Sequence, residues 1–334
     1  MNKAYIKAAS YYLPEKELTN AELIQEFPEW TVEKVANKVG INTRHIVAEN
    51  ETAGDLAEQA ALILFDEWKV KPDEIDFVML CTQSPDYFLP TTACILQHRL
   101  NIPTSSGALD FNLGCSGFIY GLALAKGLIV SGAAENILLL TAETYSKHLH
   151  PKDKGNRTIF GDAATATLIS DNGFAEIGEF SLGTDGSGAE NLIVKTGGMR
   201  YKRALLDENI DENGAINSSD HLYMNGSEIF SFTQEKVPIV VTDTLMKNNR
   251  QMSDIDLFIF HQANKYMLNF LRKKIKIEQE KFYLCMEDVG NTVSSTIPIA
   301  LKEAINEKRI IKGNQVLITG FGVGYSWGGT ILTF

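Results

Sequence analysis

Short β-branched or leucine-rich runs alternate along this chain with longer Ala/Leu-rich stretches whose apolar residues recur at helical spacing. The runs "DFVMLC" (76–81), "ALDFN" (108–112), "ILLLTAE" (137–143) and "ATATLIS" (164–170) predict strands. Segments 54–68, 91–100 and 116–131 predict helices. Near-continuous apolar strands alternating with amphipathic helices predict an α/β protein whose strands are buried on both faces. No Pro/Gly-rich linker or low-complexity tract divides the pattern.

The pattern repeats. "DFVMLC" from Asp76 resembles "DLFIFH" from Asp256, 180 residues later. "ENILLLTAE" resembles "NQVLITGFG", with Ile137 and Val316 separated by 179. Gly114 of "NLGCSG" and Gly290 of "DVGNTVSSTIP" stand 176 apart, each ahead of a predicted helix. Three matches in one order at nearly one spacing predict two duplicated halves, 1–174 and 175–334. Ligands of open α/β sheets gather at the carboxyl ends of strands. The repeat therefore predicts that Cys115, His261 and Asn291 face one cleft between the halves.

Composition narrows the class. A chain of 334 residues that is 44% hydrophobic and 22% charged reads as a globular protein with a sizeable core. Its formal net charge of −11 disfavours nucleic acid and membrane surfaces as partners. Apolar runs are too short to span a bilayer, and Lys3 and Lys7 interrupt any signal-like start, so a cytoplasmic location is expected. Four cysteines without a CxxC pair fit reduced thiols better than a disulfide or zinc framework. The "HLH" at 148–150 has no neighbouring ligand cluster and reads as loop, so no metal is expected.

Cys115 sits in "FNLGCSGFIY", after a strand and before a helix. Amide groups at a helix N-terminus favour a thiolate, and Gly114 and Gly117 permit a sharp turn and a close substrate. A buried structural cysteine would need no such flanks. His261 ends the strand of "FIFHQANKYML", and Asn291 follows Gly290 among small hydroxyl residues. Each of these two also fits a structural role when taken alone. The string "GFGVGYSWGG" is followed by a strand and the chain end, not by a helix, so a dinucleotide-binding reading fails.

With "HQAN" (261–264), "GNT…IP" (290–298), "FGDAATA" (160–166) and the terminal "FGVGYSWGGTILTF", the chain resembles the β-ketoacyl-acyl-carrier-protein synthase III family along nearly its whole length. The resemblance implies a thiolase-like five-layered αβαβα fold, a homodimer, and a Cys115–His261–Asn291 triad. It implies that Cys115 takes an acyl group from acyl-CoA, or from an acyl carrier protein, and condenses it with malonyl carrier protein, without a cofactor. It further implies a backbone oxyanion hole at Cys115 and Val323, and Phe321 as a gate beside the thiol. Trp30, Lys154, Gly226, Ser227, Ala263 and Asn264 match CoA- and pantetheine-binding positions. Leu89 matches a residue that floors the acyl pocket across the dimer.

Basic residues of the segment 265–276, namely Lys265, Arg272, Lys273, Lys274 and Lys276, offer a docking patch for an acidic carrier protein, or simply a solvated helix face. Lys154, Ser227 and Tyr266 replace an arginine, an asparagine and an arginine of the family pattern, which leaves the acyl donor open. An acyltransferase or specialised condensing enzyme passing the chain to another acceptor is the alternative. A papain-like hydrolase is disfavoured because no "CGSCW"-like segment surrounds the cysteine.

Overall fold

The computed structural model describes residues 3–27, 30–210 and 216–334. Eleven strands join in one mixed sheet system built from two similarly ordered parts. In the N-terminal part, β1 is Tyr5–Tyr12, β2 Phe77–Cys81, β3 Gly107–Phe111, β4 Asn136–Glu143 and β5 Ala163–Ser170. β2 runs parallel to both β3 and β4, and β5 lies antiparallel to β4 and β1. In the C-terminal part, β6 is Ala175–Ile177, β7 Ser181–Thr184, β8 Leu257–Phe260, β9 Phe282–Tyr283, β10 Gln315–Gly322 and β11 Ser326–Thr333. The same scheme recurs: β8 is parallel to β9 and β10, and β11 is antiparallel to β10, β6 and β7. Phe77 faces Ile137 in one part and Leu257 faces Val316 in the other, so the sequence offsets reappear as ladder register.

Helices set the layers. α1 (Val32–Val39) lies outside them, near the start of the chain. α2 (Ala53–Trp68) and α3 (Thr92–Arg99) cover the outer face of the N-terminal strands. α4 (Gly117–Ser131) and α7 (Thr296–Asn306) fill the centre and touch strands of both parts. α5 (Gly226–Lys247), with α6 (Lys265–Ile275) against it, covers the far side. The order is helix, sheet, helix, sheet, helix: the thiolase-type fold.

The central position of α4 explains its composition. Strands of both parts flank "GFIYGLALAKGLIV" and bury most of its apolar residues, while Leu124 and Val130 on its remaining face are exposed. Phe118, Ile119 and Leu122 are fully buried, each contributing roughly 1.5–3 kcal/mol of burial energy. Gly117 is required by proximity, since a Cβ there would sit 2.3 Å from Cys81 Sγ. α2 is started by a capping box in which Thr52 and Asp55 satisfy each other's backbone N–H groups. The irregular stretch between β7 and α5, with its two-residue pair Leu192–Ile193 and Tyr223–Met224, shows no periodicity that would have announced it.

Candidate active site

Cys115 lies four residues after β3 and immediately before Ser116, the cap residue of α4. The turn is closed by the Gly117 N–H donating to the Gly114 carbonyl at 2.7 Å. β10 passes directly over the cysteine. A Cβ on Gly320 would stand 2.7 Å from the Cys115 carbonyl oxygen, and one on Gly322 would stand 2.8 Å from Sγ. Gly320 and Gly322 of "GFGVG" are therefore explained by close approach to Cys115, whereas Gly324, at φ 136°, serves the turn between β10 and β11.

The thiol is 7% exposed. Burial, then the nearby Glu143 carboxyl, push it up to about 12, against the pull of the backbone N–H groups of Cys115 and Val323 on the sulfur. The expectation that the helix N-terminus would favour a resting thiolate is thus corrected: desolvation outweighs it. The two N–H groups that face the sulfur are those expected to form an oxyanion hole.

His261 directly follows β8, and its N–H donates to the Thr319 carbonyl on β10 at 2.8 Å. Burial lowers the imidazole to about 3, so the ring is neutral at physiological pH. Nδ1 lies 2.8 Å from Thr296 Oγ1, which is also 3.1 Å from the Val293 carbonyl. Phe321 stands edge-on to the imidazole, with centroids 5.7 Å apart.

Asn291 is held from both sides by the other half. Its N–H donates to the Ile159 carbonyl at 2.9 Å, and the Gly161 N–H donates to its carbonyl at 3.0 Å. Oδ1 accepts the Val293 N–H at 2.9 Å, which fixes the amide orientation and leaves Nδ2 as the outward donor, 3.4 Å from the Ala263 carbonyl. The turn that achieves this places Gly290 at φ 76° and the β-branched Val293 at φ 56°. Strain of that kind survives only where surrounding contacts enforce it. Cys115, Phe321, Ala263 and Val293 belong to one buried apolar cluster; within it the His261 imidazole stands against Phe321, and Asn291 Nδ2 lies beside the Ala263 carbonyl.

Three buried groups escaped the sequence reading. Glu143, at the end of β4 and fully buried, accepts from the Gln83 N–H at 3.0 Å and from Ser294 Oγ at 3.0 Å. It thereby ties the Asn291 turn to the loop against which Gly114 packs, and burial raises its carboxyl to about 8. Asp162 of "FGDAATA" accepts the N–H groups of Val47 and Ser146, both at 2.9 Å, and burial raises it to about 6. Arg44 is buried and donates to Asn20 Oδ1 at 2.9 Å and the Thr158 carbonyl at 3.0 Å, bracing the segment that pairs with Asn291. Only an acidic residue ending an apolar strand could have flagged Glu143.

A cleft of about 790 Å³ is lined by Trp30, His150, Lys154, His221, Gly226 and Ser227 among others; Cys115, His261 and Asn291 do not line it. Ala263 and Asn264 do not line it; Asn264 caps α6, its Oδ1 accepting the Met267 N–H at 2.9 Å. Lys34 Nζ lies 5.6 Å from the Trp30 ring centroid. On α6, Lys265, Lys273 and Lys274 are exposed, as is Lys276 at its C-cap. Arg272 is half-buried and donates to the Ile277 carbonyl, so it serves its own helix end instead of a docking face. Leu89 is 82% exposed beside exposed Tyr87 and Phe88. "HLH" splits apart: His148 lies 3.4 Å from Ser84 Oγ and His150 pairs with Glu208 at 3.0 Å. No group of three metal-binding side chains occurs among the described residues.

Two family models match the chain, 3-oxoacyl-[acyl-carrier-protein] synthase III over residues 109–186 and its C-terminal counterpart over 245–334. A relative from Clostridium perfringens, named beta-ketoacyl-[acyl-carrier-protein] synthase III, is 36% identical over 333 residues, 99% of each chain. The chain belongs to the 3-oxoacyl-[acyl-carrier-protein] synthase III family. A crystal structure described as 3-oxoacyl-(acyl-carrier-protein) synthase III is 50% identical, with a TM-score of 0.97 over 99% of this chain and 100% of the other. A synthase from Burkholderia xenovorans LB400 is 36% identical, with a TM-score of 0.90 over 99% and 93%. Within this synthase III chain, the first family model covers Cys115 and the second covers His261, Asn291 and Phe321. No helix among the described residues is long and apolar enough to cross a membrane.

Proposed function

We propose that the protein is a β-ketoacyl-acyl-carrier-protein synthase III that condenses a Cys115-bound acyl group with malonyl carrier protein. The observation that carries this reading is the pairing of a buried thiol under two backbone N–H groups with a neutral imidazole and an orientation-locked carboxamide. In the first half-reaction Cys115 Sγ attacks the acyl thioester of acyl-CoA. The carbonyl becomes a tetrahedral oxyanion held by the N–H groups of Cys115 and Val323, and the CoA thiol leaves with the proton that Cys115 gave up.

In the second half-reaction the malonyl carboxylate leaves as CO₂, and its bonding electrons form an enolate on the thioester oxygen. His261 Nε2–H and Asn291 Nδ2–H donate to that oxygen, each contributing about 3 kcal/mol. This tautomer requires the Thr296 hydroxyl to donate to Nδ1, 2.8 Å away, in place of the Val293 carbonyl at 3.1 Å. The enolate carbon then attacks the acyl carbonyl, the C–S bond to Cys115 breaks, and 3-oxoacyl carrier protein departs. Neither half-reaction calls on a metal or redox cofactor.

Trp30, Lys154, Gly226 and Ser227, which line the cleft, take the nucleotide end of the donor; Ala263 and Asn264, outside the cleft lining, are assigned to the pantetheine path by the family resemblance alone. Exposed Tyr87, Phe88 and Leu89 are covered by a second copy in a homodimer, which places Leu89 at the partner's acyl pocket. The test is intact-mass analysis of wild type and Cys115→Ala with a panel of acyl-CoAs, followed by malonyl carrier protein. Wild type gains the acyl mass, then releases CO₂ and a 3-oxoacyl product; Cys115→Ala gains no acyl mass and forms no 3-oxoacyl product. Acylation without CO₂ release would favour transfer to a different acceptor.

A further inference from the structure

The loop after β7 carries "GGMRYKRALL", three cations within four residues in a chain of net charge −11. Arg200, Lys202 and Arg203 are exposed, and no carboxylate among the described residues pairs with them. Interleaved with them, Met199 is 74% exposed, Tyr201 45%, Leu205 46% and Leu206 85%. An unpaired cationic cluster with an apolar centre is the complement of an acidic protein surface with its own apolar contact.

The base of this loop is fastened to the wall of the cleft. The Leu205 and Leu206 N–H groups donate to the Asp220 carboxylate at 2.8 and 2.9 Å. The Ser219 N–H donates to Asp207 Oδ1 at 2.8 Å, and the Lys195 N–H donates to the Ser219 carbonyl at 3.2 Å. Ser218 and His221, on either side of these anchors, line the cleft. Asp207 and Asp220 at the base are therefore spent on backbone donors and Glu208 pairs with His150, while the three cations above stay available.

We propose that residues 199–206 form a docking surface for the acidic face of the carrier protein, placed on the rim of the cleft that its arm must enter. The inference rests on the condensing function proposed above. It supplements the α6 patch, where Arg272 is turned inward and exposed Tyr266 carries no charge. A small acidic protein fits better than an anionic membrane. At physiological salt, charges act over about 8 Å, so a small partner meets the patch alone, whereas a plane of lipid also meets the surrounding acidic surface. A second copy docking patch to patch would set like charges against each other.

The test is the triple variant Arg200→Glu, Lys202→Glu, Arg203→Glu in the full chain, assayed with acyl-CoA and malonyl carrier protein. The expected result is a tenfold or greater rise in KM for malonyl carrier protein, with kcat and the rate of Cys115 acylation by acyl-CoA unchanged. The fall of kcat/KM with added salt should also be shallower than in wild type. An unchanged KM for the carrier overturns the proposal. So does a changed oligomeric state accounting for the loss, or loss only of wild-type binding to phosphatidylglycerol vesicles. Wild type that releases no CO₂ overturns the underlying function as well; wild-type turnover with an unaffected variant overturns the docking surface alone.

Discussion

The two halves build the same strand order and place their chemistry at matching points, yet they furnish different groups. In the N-terminal half, three residues separate β3 from Cys115, and α4 begins two residues later, so the nucleophile sits at a helix tip. In the C-terminal half, residues 284–295 separate β9 from α7, and two positive-φ residues aim Asn291. The strand-end positions differ as well. Cys81 is buried with Sγ 3.1 Å from the Leu113 carbonyl, whereas the buried His261 ring stands edge-on to Phe321. In the function proposed above, one half would hold the acyl chain and the other would stabilise the enolate.

This division can be broken most sharply at Asn291. Asn291→Ala should leave acylation of Cys115 within a few-fold of wild type while lowering decarboxylative condensation about 100-fold or more, read by CO₂ release. Equal losses in both steps would mean that the halves are not specialised in this way. A subtler cut is Thr296→Val, which keeps shape but removes the hydroxyl 2.8 Å from His261 Nδ1. Condensation should fall about tenfold, the worth of one hydrogen bond of about 1.4 kcal/mol, with acylation little changed.

The smallest effect concerns the tie between halves. Glu143 has a folded-state value of about 8, above the usual carboxylate range, so the native state holds a proton that the unfolded chain releases. Its contribution to stability is full below about pH 4.5 and is lost as pH rises towards 8. Glu143→Gln, which preserves the hydrogen-bonding shape, should flatten that decline in denaturant titrations between pH 5 and 8. An unchanged slope would show that the carboxyl is not a buried neutral acid.

Much of this arrangement was legible in the chain because it rests on local signals. Apolar runs marked β2, β4 and β5, and the glycines around Cys115 marked a turn that must admit close neighbours. Legibility stopped where the cause is tertiary. The raised thiol of Cys115 follows from burial beneath β10, which no flanking residue announces. Arg272 read as part of a charged face, but its guanidinium closes its own helix end. Glu143, Asp162 and Arg44 are single polar residues in apolar surroundings, and their roles depend on partners up to 151 residues away.

The central claim meets its most direct test in His261→Ala, with acylation of Cys115 and CO₂ release from malonyl carrier protein measured on the same preparation. Acylation should persist within about tenfold, while CO₂ release drops about 100-fold or more. If the two rates fall together, or CO₂ release is spared, the imidazole does not serve the enolate and the division between the halves is wrong.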